Sequence, residues 1–135
     1  MLFSLRIFFS IVLASMLAVT SWASFQCPLF SVPREVATHP WFIATLFDAY
    51  WGFLTFFTWV AYKQTSWFAR GTWLIAILLL GNIAMASYAL AQLFSISGDD
   101  DGPRQVLTRR DAKIGWLGPT LAVIGVAVVT LAARS

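Results

Sequence analysis

Residues 39–63 read HPWFIATLFDAYWGFLTFFTWVAYK, and only one charged residue, Asp48, lies between Trp41 and Tyr62. At 1.5 Å per residue, those 22 residues make about 33 Å of helix, enough to cross a hydrocarbon core of about 30 Å. Pro40 suits the first turn of such a helix, because the N–H it lacks would be unpaired there anyway. Trp41 stands near one end and Trp59 and Tyr62 near the other, the headgroup depth that amphipathic rings prefer. Asp48 lies about 10 Å inside, where a carboxylate costs about 2.5–3.5 kcal/mol on insertion scales. A residue kept at that cost needs a partner or a use.

Composition points the same way. Of 135 residues, 59% are apolar and 11% charged, against about 25% charged in soluble domains. This indicates an all-α integral membrane protein of one domain, with the lipid bilayer as its first partner. The net charge of +3 comes from nine Lys/Arg scattered through the loops, with no basic stripe to hold nucleic acid. Cys27 and His39 are each the only residue of their type. One cysteine makes no intrachain disulfide, and one histidine supplies neither a bis-imidazole haem nor a multi-histidine metal site. No metal or cofactor is expected.

Three further apolar runs flank the quoted stretch. Ile7–Trp22 follows Arg6 and carries Ser10, Ala14 and Ala18 at four-residue spacing, a small-residue stripe that admits a neighbouring helix. The run also resembles a leader cleaved after Ala23, but the stripe favours an uncleaved anchor. Trp73–Phe94 contains Asn82, Ser87, Tyr88 and Gln92. Ile114–Ala133 carries no charge, and its Gly115, Gly118, Ala122 and Gly125 share one face suited to close packing. Four spans result, at about 5–22, 40–62, 72–95 and 114–133. Residues 96–113 form a polar loop in which Gly98 and Gly102-Pro103 read as breakers. Its Asp99–Asp101 triplet lacks the alternation of an EF-hand.

The loop from Lys63 to Gly71 is short, so the second and third spans form an antiparallel hairpin. Counted out from Trp67, Asp48 is level with Ala86, beside Ser87 and Tyr88 and one turn from Asn82. The expectation is an intramembrane polar cluster of Asp48, Asn82, Ser87 and Tyr88, in which Asp48 turns inward and accepts a hydrogen bond. Thr45, Asp48, Gly52, Thr55 and Trp59 share one face of the second helix.

The quoted stretch, with Thr20…Ala23, Arg70, Trp73 and LGNIAMASYALAQL at 80–93, resembles a family of small bacterial and plant membrane proteins. That family is catalogued only as a domain of unknown function. The resemblance covers about residues 1–95 and includes the polar positions Asp48, Lys63, Arg70 and Asn82. It implies a multi-pass membrane protein and no particular activity, leaving 114–133 as an additional helix.

Catalytic sets are missing from the sequence: it holds no GxSxG, P-loop or HExxH pattern, and only one carboxylate lies inside a span. A non-enzymatic accessory or structural subunit, or an assembly factor docked on other membrane protein subunits, is the expected function. The alternative is a small oligomeric transporter or proton-coupled pore using Asp48, although no internal repeat of the transporter kind is found. The expected location is a bacterial inner membrane. With four spans, four basic residues fall on one side and five on the other. Arg6 before the first helix then favours both termini inside.

Overall fold

The computed structural model describes residues 1–96, 102–110 and 115–134. Among them are seven α-helices and no strand: α1 (Leu2–Gln26), α2 (Arg34–Ala37), α3 (Pro40–Lys63), α4 (Trp67–Leu80), α5 (Asn82–Phe94), α6 (Gly102–Thr108) and α7 (Leu117–Arg134), with one 3-10 turn at Leu29–Ser31. Three of them, α1, α3 and α7, are long and apolar enough to cross a membrane. The Asp99–Asp101 triplet and the Lys113–Ile114 start expected for the last helix lie outside the described residues.

α3 begins as its sequence requires. Pro40 occupies the first turn, and Nδ1 of His39 accepts the Trp41 N–H at 3.3 Å, satisfying one of the donors that every helix start leaves open. The helix runs to Lys63, and only Gln64–Ser66 separate it from α4.

The expected span at 72–95 does not form. It is replaced by two half-length helices, α4 and α5, joined at Gly81, whose φ of 53° and ψ of −125° lie where side chains other than glycine's rarely go. Fifteen residues of continuous helix would set Trp73 and Tyr88 about 22 Å apart along the axis, yet their ring centroids are 4.7 Å apart, edge to face. The chain therefore folds back at Gly81. The Phe53 ring of α3 fills the place of a side chain there, since a Cβ on Gly81 would lie 2.7 Å from Phe53 Cζ. At 14 and 13 residues, the two arms are about 21 and 20 Å long, short of a bilayer's hydrocarbon.

This hairpin fixes the architecture. α1 packs along α5 and α7 along α4, while α3 touches both arms. The molecule has an Arg6 end, where Arg6, Lys63, α6, the open ends of the hairpin and the start of α7 gather. At the opposite, Arg34 end lie Gln26, the 3-10 turn (which touches α7), α2, Pro40 and Arg134. The main core of Val60, Trp73, Ala76, Ile77, Ala84, Tyr88 and Ala122 sits between α3, the hairpin and α7. A second core of Leu93, Ile96 and Val106, with Leu2, Leu5 and Phe9 packed on it, closes the Arg6 end.

Residues 102–108, expected as loop, are helical. Pro103 stands in the first turn of α6, where proline begins a helix rather than breaks one, and buried Val106 holds the helix across the bundle's end.

Candidate functional site

The residues expected to cluster around Asp48 do not meet. Asp48 is exposed on the outer face of α3, and no hydrogen bond joins it to Asn82, Ser87 or Tyr88. The register expected for it assumed an unbroken third span. Because the chain reverses at Gly81, Tyr88 returns toward the Arg6 end and lies beside Trp59 (ring centroids 5.4 Å apart), 11 residues or about 16 Å along α3 from Asp48. Ser87 Oγ donates to Ile83 O of its own helix at 2.7 Å. Asn82 is exposed at the hairpin turn.

Around Asp48, the Thr45, Gly52 and Thr55 positions are exposed as well. Both threonine hydroxyls donate to their own helix, to Trp41 O and Trp51 O, each at 2.8 Å. Nothing lies within 4 Å of a Cβ built on Gly52. This stripe is open, small and polar, with one carboxylate at its centre.

Polar side chains concentrate instead at the Arg6 end. Tyr88, 1% exposed, is met edge-on by Phe56, Trp59 and Trp73, and its hydroxyl accepts from Gln64 Nε2 at 3.2 Å. Edge-to-face pairs contribute about 0.5–1.5 kcal/mol each beyond area burial, so the three fix the returning arm of the hairpin. Lys63 is fully buried, its ammonium donating to Val106 O. Trp59 Nε1 donates to Leu107 O at 3.2 Å. Arg70 Nε donates to Gln64 O at 2.9 Å and Arg110 Nε to Tyr62 O at 3.1 Å. A cavity of about 390 Å³ opens beside them, with Gln64, Tyr88, Gln92 and Arg109 on its walls. Sequence reasoning missed this cluster because it depends on the chain reversal. Gln64, the residue that caps α3, reads in the sequence only as a loop residue.

Along α7, Gly118, Ala122 and Gly125 are buried. A Cβ on Gly118 would stand 2.7 Å from Trp73 Nε1, and one on Gly125 would stand 3.0 Å from Leu79 Cβ. The glycines let α7 close on α4. Gly115 precedes the helix and has open space around it.

A second and larger cavity, about 890 Å³, lies beneath the Gly81 turn toward the Arg34 end. Asp48 lines neither cavity. Among the described residues no three His, Cys, Asp or Glu side chains converge in a way that could hold a metal, and Cys27 is exposed.

The chain belongs to the family described as "Protein of unknown function (DUF1475)", whose model matches residues 1–131 and so takes in α7 as well as the first 95 residues. No curated protein and no solved structure matches it.

Proposed function

We propose that this protein is a non-catalytic integral membrane subunit that docks through the Thr45–Asp48–Gly52–Thr55 face of α3 onto a transmembrane helix of a different protein. Asp48 on that outer face carries the reading. It lies about 12 Å from the start of α3, and a carboxylate facing hydrocarbon is too costly to be left unmatched. Small residues at 45, 52 and 55 let a partner backbone come close. A second copy of this chain is a poor match, because the nearest basic residue along α3, Lys63, is about 22 Å farther on and fully buried. The partner helix therefore carries a lysine, arginine or hydrogen-bond donor at the depth of Asp48.

In this reading α1, α3 and α7 cross the bilayer and the hairpin enters from one side only. Basic residues then divide unevenly. Among the described residues, Arg6, Lys63, Arg70, Arg104, Arg109 and Arg110 lie at the Arg6 end, against Arg34 and Arg134 at the other. Six against two orients the Arg6 end toward the cytoplasm of a bacterial inner membrane, with the N-terminus inside. An odd number of crossings puts the C-terminus outside, in contrast to the both-inside arrangement that four spans gave.

Affinity purification from gently solubilised native membranes tests the docking. The parent chain is expected to bring one membrane partner with it, and Asp48→Val and Gly52→Leu to lose that partner while accumulating normally. A parent chain that purifies alone would refute the reading.

A further inference from the structure

The larger cavity follows from the hairpin. At the Arg6 end α1, α3, α4, α5 and α7 run side by side, with α6 across them. At the Arg34 end the hairpin has already turned back, and α1, α3 and α7 stand apart around the space beneath Gly81. Phe53 and Leu46 of α3, Met16 of α1 and Val129 of α7 form the walls, and Pro28 and Leu29 line the far end.

Water is a poor filling for it. At about 30 Å³ per molecule, some thirty waters would be needed, each with two to four polar partners. Among the described residues, the lining supplies polar side chains only from Thr20, Ser24, Tyr50 and Asn82. Two of these hydroxyls are already committed, Ser24 to Thr20 O at 2.8 Å and Tyr50 to Leu78 O at 3.5 Å. Apolar cavities stay dry and take apolar guests. If the chain crosses the bilayer as proposed above, on which this inference rests, the cavity lies at the hydrocarbon depth of the outer leaflet, where acyl chains are the surrounding solvent. The basic residues at that end, Arg34 and Arg134, are both exposed and offer charge complementary to a phosphate.

We infer that the cavity is a phospholipid site. One acyl chain rises between α1, α3 and α7 to the Gly81 turn, and the phosphate stays at the Arg34 end. The lipid completes the outer half of a bundle whose inner half is completed by the hairpin.

Native mass spectrometry of the full chain, extracted in mild detergent from phosphatidylethanolamine–phosphatidylglycerol vesicles, tests this. The parent is expected to retain one phospholipid. Ala49→Phe on α3 and Val129→Phe on α7 fill the cavity from different helices and should each reduce retention at least five-fold, with unchanged helix content by circular dichroism. A parent without retained lipid, or variants that retain as much lipid as the parent, overturn the inference. Should either variant misfold, photolabelling of the parent by a diazirine-acyl phosphatidylethanolamine decides. Adducts on peptides containing Ala49 or Val129 support the site, and adducts confined to outward residues such as Trp41 and Val123 refute it. Carbonate extraction of the same membranes separates the two proposals. A chain released by carbonate was never embedded, whereas an embedded chain without retained lipid refutes this site alone.

Discussion

Arg6 Nη2 donates to the carbonyl oxygen of Leu93 at 2.8 Å, joining the first helix to the end of α5 across 87 residues of chain. The same nitrogen reaches Ile96 O at 3.2 Å, and the guanidinium lies over the Phe94 ring, 4.9 Å from its centroid. Lys63, Arg70 and Arg110 act alike, donating N–H hydrogen bonds to Val106 O, Gln64 O and Tyr62 O. The cause is common to all four. α3, α5 and α6 all finish at this end, each with unpaired carbonyls and the negative end of its dipole, and cations satisfy both.

Arg6→Met should therefore destabilise the protein by about 1.5–3 kcal/mol, the range for hydrogen bonds to charged groups, and loosen α1 from α5. Arg6→Lys, which keeps the charge but not the geometry of the fork, should recover part of the loss. Thermal melts in mild detergent measure both. A melting point for Arg6→Met equal to the parent's would show that α1 is held by side-chain packing alone.

Gly81→Ala should lower stability by about 1–3 kcal/mol from backbone strain, with a further loss from the clash with Phe53. The site offers no compensating space. Reduced yield and a lowered melting point are the expected results. An alanine variant as stable as the parent would mean that the turn does not adopt a positive φ.

Impermeant maleimide labelling of cysteines placed at Arg34 and at Arg104, in a Cys27→Ser background, should mark opposite sides of the membrane. Four complete spans would put both on one side, so labelling from the same side would restore the unbroken third helix.

Gly118→Leu should cost more than 2 kcal/mol by forcing α7 away from Trp73, because overpacking a close helix contact displaces backbone. Val123→Leu, at a position 69% exposed, should change stability by less than about 0.5 kcal/mol. In lipid, close contact of this kind holds helices together, since hydrocarbon outside is no less apolar than the interior. Equal melting points for the two variants would place α7 outside the bundle.

The sequence disclosed the long helices well. Run length and Pro40 placed α3 to within one residue at its far end, because an uncharged run next to a first-turn proline leaves few alternatives. The hairpin was hidden for a different reason. In LLLGNIAM, Gly81 reads as a tolerated glycine costing about 1 kcal/mol in a helix, and nothing local states that φ turns positive. That conformation is selected at a distance, by Phe53 filling the space over Gly81 and by Trp73 meeting Tyr88. Asn82, a polar residue directly after the glycine, was the available hint. The Asp48 register failed for the same reason, since it was counted along a helix that does not continue. α6 was lost to a local ambiguity, because Gly102-Pro103 marks the start of a helix as readily as the end of one.

A body with five helices across one face and three across the other is a wedge. Embedded in a bilayer, it takes more area from one leaflet than from the opposing one, and it imposes a lateral stress that a cylinder of parallel helices does not. Such a protein settles at least cost where the membrane already bends toward its narrow side. In a chain that crosses the bilayer as proposed, the single glycine that reverses it would thus set an unequal cross-section between the two leaflets, without any residue dedicated to that shape.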